Sequence, residues 1–406
     1  MMKKTLIFTY HIGGHQLEYI HHLYSDAITK PEKEFVFAVP ERFKTDSTNM
    51  QWKSYPNISF IYINGKYVNA FEEAFAKYCG VKYAVAVCNG TVALHLALTS
   101  LGITGGDEVI LPDFTMIASA FAVCYTGATP VFVDTDKDTW NIDVTKIEEK
   151  ITSLTKAIMP VHIFGNPCNM DAIHAIAQKH NLFIIEDAAE AHGAEFNGKK
   201  TGSFSHIGAF SFFANKNLTT GEGGMVVTDD EELYKKALYF KNICFPLDSP
   251  RNYIHHDIGF NYRMSNLHAA IGLAQTEKAD QYREMRICNG HLYRKYLRNT
   301  PGVILQKDQQ SALNVFWMNG ILIDPDIYGK SRDDLAVFLK EKGIDTRLFF
   351  VGMHRQPSLV KFGCDCTGDF SVTDNLAANG LYLPSASQLE ESTIKYICET
   401  IQEFQG

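Results

Sequence analysis

A chain of 406 residues with 46% hydrophobic and 21% charged content has enough apolar sequence for a large domain and a smaller one, each with its own core. Its formal net charge of -8 supplies no basic surplus for wrapping a polyanion, so nucleic acid is not an expected partner and an anionic ligand must be met by local donors. No apolar run nears membrane-spanning length, the stretch over residues 5–10 behind Lys3 and Lys4 is too short for a signal segment, and the nine cysteines lack zinc-ligand spacing; a cytoplasmic protein with reduced thiols, no metal and no membrane contact is expected.

In chain order, the opening reads as strand, turn, helix, strand: apolar residues 5–10, Gly13 and Gly14, a helical stretch over 15–27, and a strand over 35–39. It resembles the first βαβ unit of a nucleotide-binding or glycosyltransferase domain that stops after one unit. Residues 58–63 can add a short strand. From Gly65 the pattern becomes regular: helix 68–78, strand 83–87, helix 91–101, strand 108–111, helix 118–125 and strand 131–133. Apolar strands follow over 157–164 and 182–185 with a helix between them, then strands 209–213 and 225–228 and a helix over 231–241. Such alternation is an α/β pattern, a mostly parallel sheet with helices on both faces. Ligands of these sheets sit beyond the carboxyl ends of the strands. Past Tyr282 a long helix to 297, a strand at 320–323, a helix at 332–341 and a last helix from 391 suggest a smaller α+β C-terminal domain. The expected divisions are 1–62 for an atypical N-terminal segment, 63–281 for a large ligand-binding domain and 282–406 for a small domain.

Three stretches carry chemistry. Lys216 follows an apolar strand and precedes Gly221, Gly223 and Gly224. A lysine fixed by a strand and desolvated has a lowered pKa, so its free amine can attack an aldehyde and form a Schiff base; a solvated surface lysine has the same local look. Asp187 ends the strand over 184–187, where an ionised carboxylate is costly without a cation. A protonated pyridine nitrogen would supply that cation and act as an electron sink, though a helix cap or salt bridge would also satisfy it. Asn89-Gly90-Thr91 joins a strand to a helix and offers free N–H groups and the positive end of a helix dipole to a phosphate. Ser211 can add a hydroxyl to the same phosphate, and Thr91 by itself also reads as an N-cap.

In their order and spacing, residues 89–91, 186–190, 211–217 and 259–266 closely resemble the DegT/DnrJ/EryC1/StrS family of nucleotide-sugar aminotransferases, within the fold type I pyridoxal-phosphate enzymes. The likeness runs from about Gly65 to the C-terminus. It implies pyridoxal 5'-phosphate as cofactor, with Lys216 as Schiff-base lysine and proton shuttle, Asp187 on the pyridine nitrogen, and Glu190 near the ring hydroxyl or the substrate amine. Gly90, Thr91 and Ser211 are implied on the phosphate. Asn261 is implied to reach the phosphate of the neighbouring subunit's cofactor, which makes a homodimer with shared active sites the working unit. Met116 stands where the family has an aromatic residue over the ring, and a thioether can pack there instead. The segment before Gly65 departs from the family's N-terminal arm.

Related dehydratases have histidine where Lys216 stands, so the lysine implies transamination. Glu190, with residues 315–318 and 345–350 leading to His354, looks most like perosamine synthetases. Those enzymes aminate the C4 keto group of GDP-4-keto-6-deoxymannose with glutamate as donor, for glycan or O-antigen lipopolysaccharide biosynthesis. Trp317, Arg347 and His354 are implied at the substrate, Arg347 and His354 through charge-assisted bonds, with a surface or inter-domain polar contact equally open for those two. Two readings compete: a catalytically idle regulatory or binding homologue of the same fold, and a bifunctional chain with a glycosyltransferase remnant in 1–62. An intact Lys216 and Asp187 argue against the first, and a single βαβ unit against the second.

Overall fold

The computed structural model describes residues 4–8, 34–39 and 58–62 as strands, and the chain over residues 66–247 and 253–405. The first unit, residues 1–70, contains β1 (Lys4–Phe8), β2 (Glu34–Val39) and β3 (Ile58–Tyr62), paired in parallel in that order. The Gly13-Gly14 turn and the helix expected over 15–27 lie outside the described residues. Helix α1 (Lys66–Cys79) crosses into the second unit, residues 71–406.

The second unit is built on β4 (Tyr83–Val87), α2 (Gly90–Ser100), β5 (Glu108–Pro112), α3 (Ala118–Tyr125), β6 (Thr129–Val133), β7 (Thr155–Ile158), α4 (Met170–His180) and β8 (Phe183–Asp187). Next come the short β9 (Glu195–Phe196) and β10 (Lys199–Lys200), then β11 (Ile207–Ser211), β12 (Gly224–Thr228), α5 (Glu231–Lys241) and α6 (Asn266–Thr276). The seven long strands form one sheet in the order β4-β12-β11-β8-β7-β5-β6, with β12 antiparallel to both neighbours and all other pairs parallel. Their near-continuous apolar runs suit a sheet buried on both faces: β11 and β12 are buried at every position. Helix α2 is buried along most of its length, with Ala93, Leu94, Leu96, Ala97 and Leu98 in the core.

The chain continues through α7 (Ala279–Leu297), β13 (Val303–Leu305), β14 (Ala312–Leu313), β15 (Asn319–Ile323), α8 (Pro325–Tyr328), α9 (Arg332–Glu341), β16 (Arg347–Leu348), α10 (Pro357–Phe362), α11 (Ser371–Asn379), β17 (Gly380–Leu383) and α12 (Glu391–Gln405). An antiparallel sheet, β13-β15-β17-β16, packs on α7, α9 and α12 around Tyr293, Leu297, Leu335, Leu339, Ile394 and Ile397. A cluster of Phe114, Trp140, Phe164, Trp317, Phe349 and Tyr382 draws side chains from the large-sheet loops and from the smaller sheet.

Two expectations about elements need correction. The strand expected over 157–164 ends at Ile158, because Pro160 has no N–H to continue the ladder. Beyond it the chain turns through Phe164 (φ 59) and Gly165 (φ 96). A Cβ on Gly165 would lie 2.8 Å from Val315 Cγ2 and 3.1 Å from the amide nitrogens of Phe316 and Trp317, so glycine permits that close approach. The strand expected over 209–213 ends at Ser211, and Phe212 and Phe213 already belong to the turn that carries Lys216. Sheet register then gathers the site: Gly224 lies opposite both Val87 and Ser211, and Ala209 opposite Asp187. The carboxyl ends of β4, β8 and β11 therefore share one edge.

Candidate active site

Adjacent residues on β8 point to opposite faces of the sheet and meet opposite surroundings. Glu186 accepts from Gly202 N at 2.7 Å, Phe204 N at 2.9 Å and Ser205 Oγ at 2.8 Å, and its Oε1 lies 3.1 Å from His162 Nε2. His162 Nδ1 accepts the Cys168 N–H at 3.0 Å, so the ring proton sits on Nε2, facing Glu186. Burial opposes ionisation of Glu186, yet His162 and the other donors outweigh it and hold the carboxyl below its ordinary range. Asp187 has less: Ser119 Oγ donates to Oδ2 at 2.7 Å and Ala189 N to Oδ1 at 3.1 Å. Burial pushes its carboxyl up, against the pull of Ser119, Ala189 and the Lys216 charge. A buried, under-neutralised carboxylate at a strand end fits a protonated ring nitrogen.

Lys216 hangs from the turn after β11, its N–H donating to Phe213 O at 2.9 Å. Burial lowers the pKa of its amine, while the carboxylates of Glu190 and Asp187 oppose that fall. Glu190 is 3% exposed and accepts the Phe164 N–H at 2.8 Å; burial pushes its carboxyl up to about 7, with Lys216 drawing it down. His192, packed among the rings of Phe75, Phe210 and Phe212, is pulled down to about 3 by burial and by the lysine charge, so it stays neutral beside Nζ. The amine thus feels two carboxyls whose ionisation burial opposes.

The phosphate cradle is read from what would not fit. A Cβ on Gly90 would lie 2.6 Å from Ser211 Cβ, and one on Gly224 2.2 Å from Asn89 O, so two glycines let β11, β12 and the start of α2 converge. Asn89, not Thr91, is the N-cap of α2, its Oδ1 accepting Val92 N at 3.0 Å. That frees the Thr91 hydroxyl from capping. Among the described residues the Gly90 and Thr91 N–H groups take no bond within the chain, and Ser211 Oγ receives only a 3.4 Å contact from Phe213 N. These donors at the start of an 11-residue helix fit a phosphate.

Other expected residues stand elsewhere. Met116 is 49% exposed on the loop after β5, one turn before Ser119. Asn261 is exposed and bridged through its backbone to Asn242. Arg347 is exposed on the edge strand β16. His354 Nδ1 lies 2.6 Å from Asp113 Oδ2, its Nε2 3.3 Å from Asp374 Oδ1, and its ring stacks on Phe370. Both ring nitrogens are taken. Trp317 is 5% exposed and faces Lys216, Nζ lying 3.7 Å from the ring centroid. Ser119 and the Phe164 amide were not anticipated. Thr115 and Ser119, four apart with oxygens 3.2 Å from each other, were a legible signal for the first; nothing local signals the second. Among the described residues no cluster of His, Cys, Asp and Glu could hold a metal ion, and no helix is long and apolar enough to cross a membrane.

Residues 57–402 match the sequence model of the DegT/DnrJ/EryC1/StrS aminotransferase family. The chain is 42% identical over 382 residues to GDP-perosamine synthase of Escherichia coli O157:H7, covering 94% of this chain and 98% of that one. That share exceeds what residues 63–406 contain, so the likeness begins well before Gly65. GDP-perosamine synthase of Caulobacter vibrioides is 43% identical over 342 residues, 84% of this chain and 90% of its own. Among solved structures, S. venezuelae DesV in complex with a ketimine intermediate superposes with a TM-score of 0.79 at 32% identity, covering 96% of each chain. The GDP-4-keto-6-deoxymannose-3-dehydratase ColD with bound GDP-perosamine gives a TM-score of 0.78 at 29% identity, over 83% of this chain and 92% of that one.

Proposed function

Because this chain belongs to the DegT/DnrJ/EryC1/StrS aminotransferase family, we propose that it moves the amino group of glutamate onto the C4 keto group of a GDP-linked 4-keto-6-deoxy sugar, in glycan or O-antigen synthesis. The observation that carries this reading is a half-buried lysine whose amine feels two buried carboxyls at a strand-end edge. Pyridoxal 5'-phosphate supplies an aldehyde that takes up the amino group and a pyridinium ring that spreads the electrons left on the deprotonated carbon. Asp187, oriented by Ser119 and Ala189, would accept the ring N–H and keep that nitrogen charged. The Gly90 and Thr91 N–H groups and the Ser211 hydroxyl would hold the phosphate, and Met116 would pack on the ring. Burial favours the free amine of Lys216, which would bond the cofactor and then take and return a proton at Nζ. Glu190 stands ready to hold a proton beside it. An exposed Asn261 suits a contact made to the other subunit of a cytoplasmic homodimer with shared sites. A fold kept only for binding would need neither the depressed lysine nor the strand-end aspartate.

The test is a coupled assay of 2-oxoglutarate formation from glutamate, run over GDP- and dTDP-linked keto sugars. Turnover with GDP-4-keto-6-deoxymannose and not with the dTDP sugars is expected. Preference for a dTDP sugar would overturn the substrate assignment, and no turnover with any keto sugar would overturn the enzymatic one.

A further inference from the structure

The loop ending at Trp317 is shaped against local preference. Phe316 (φ 47) and Phe164 (φ 59) both have left-handed backbone, a region that bulky side chains avoid. The two strained segments hold each other: Trp317 N donates to Phe164 O at 2.8 Å and Val315 N to Gly165 O at 3.1 Å. Asn314 Oδ1 accepts Phe316 N at 2.8 Å. From the opposite side Arg286, buried on α7, donates Nη1 to Trp317 O at 3.3 Å and Nε to Ser387 Oγ at 2.8 Å. The indole is left with one orientation. Its Nε1 donates to Asn215 O at 2.9 Å, Asn217 Nδ2 donates to Val315 O at 3.4 Å, and the residue between them, Lys216, lays its Nζ 3.7 Å from the ring centroid. Strain maintained by surrounding contacts marks a segment positioned for a task.

We propose that Trp317 is a positioning residue for the reaction, the berth on which the Lys216 ammonium rests whenever Nζ is not bonded to the cofactor. The proposal rests on the lysine's cofactor role above and adds a device to it. The lysine must serve as neutral amine when it bonds or takes a proton, and as ammonium until it returns that proton to substrate or cofactor carbon. Burial favours the first form. An indole face favours the second through its quadrupole, and unlike a carboxylate it cannot accept the proton it stabilises. The charged groups facing Nζ are Glu190 and Asp187, with His192 neutral beside it. Between them Trp317 supplies attraction without a route for proton loss. No proton is gained or lost over the cycle: Nζ takes one from carbon and gives one back.

The experiment uses cofactor-free protein, so that it reads the lysine and not turnover. Carbamylation of Lys216 by cyanate, followed by peptide mass spectrometry between about pH 6 and pH 10, gives the apparent pKa of Nζ. Trp317→Phe should lower it modestly and Trp317→Leu by about one unit, a tenfold rise in free amine at neutral pH. Uniform fluorotryptophan incorporation gives a second, isosteric variant that weakens the ring quadrupole without changing shape, and should lower the pKa in the same direction. A Lys216 that titrates at or above its wild-type position in both Trp317→Leu and the fluorinated protein overturns the proposal. Failure of borohydride to fix cofactor to Lys216 would instead sink the cofactor assignment, a separate result.

Discussion

Replacing Asp187 by Asn keeps size and shape but leaves an amide that cannot hold a ring nitrogen in its charged form. Turnover should fall by at least about a hundredfold with the thermal midpoint near wild type, and near-normal turnover would make the carboxylate structural. Ser119→Ala removes a buried donor to that carboxylate, at about 1–3 kcal/mol, and should speed cofactor loss as followed by absorbance. Glu190 gives a prediction in pH. Its folded pKa, about 7, lies above the ordinary 4.5, so the cofactor-free fold favours the protonated form. Stability from this group is fully present below the unfolded value and is lost as pH rises through the folded one, on the order of 3 kcal/mol across that window. Denaturant titrations of Glu190→Gln should lack this decline, and parallel profiles would refute it. The places of Lys216, Asp187 and Gly90 at one sheet edge were legible in the sequence because strand ends and glycine turns are local signals. Trp317 beneath the lysine was not, because that contact joins residues a hundred positions apart through two segments with left-handed backbone.

Helices α3, α5 and α9 run over the spans expected from apolar periodicity, and α12 begins where expected. Asp230 and Ser331 explain part of that accuracy: both side chains cap the first turn, Ser331 in a reciprocal capping box with Asp334. Strand ends were less legible. The run 157–164 is apolar enough to read as one strand, but Pro160 ends the ladder, and the turn beyond it depends on partners far along the chain, including Glu190 and Trp317. α6 was missed within a stretch read for its motif instead of its period. At this scale the glycines are testable. Gly165→Ala combines strain at φ 96 with a close approach to Val315, and should cost about 1–3 kcal/mol in a denaturation midpoint. Gly90→Ala should push Ser211 from the start of α2 and weaken cofactor retention far more than stability. Equal loss of both would contradict the phosphate role.

For the whole molecule, the proposed sharing of sites between subunits makes a prediction that separate subunits could not meet. Lys216→Ala and Asn261→Ala homodimers should each be impaired, yet a mixed dimer should regain one site in which an intact Lys216 faces the other subunit's intact Asn261. Activity that stays at the sum of the two parents after subunit exchange would show that Asn261 serves its own chain or none. The polar ladder around His354 bears on how such a site is entered. Asp113 accepts the His354 backbone N–H at 2.8 Å as well as facing its ring, and Asp374 is bonded to Arg355. Asp134, buried at the end of the large sheet, accepts both Thr373 N at 3.0 Å and Thr373 Oγ1 at 2.9 Å, while Thr135 Oγ1 and Thr373 Oγ1 lie 2.9 Å apart. These bonds tie the loops of the large sheet to C-terminal elements. Small-angle scattering should therefore record the same radius of gyration with and without a sugar nucleotide. Equal values would mean that the entrance does the selecting: a sugar of the wrong shape would be turned away on approach, without first being enclosed.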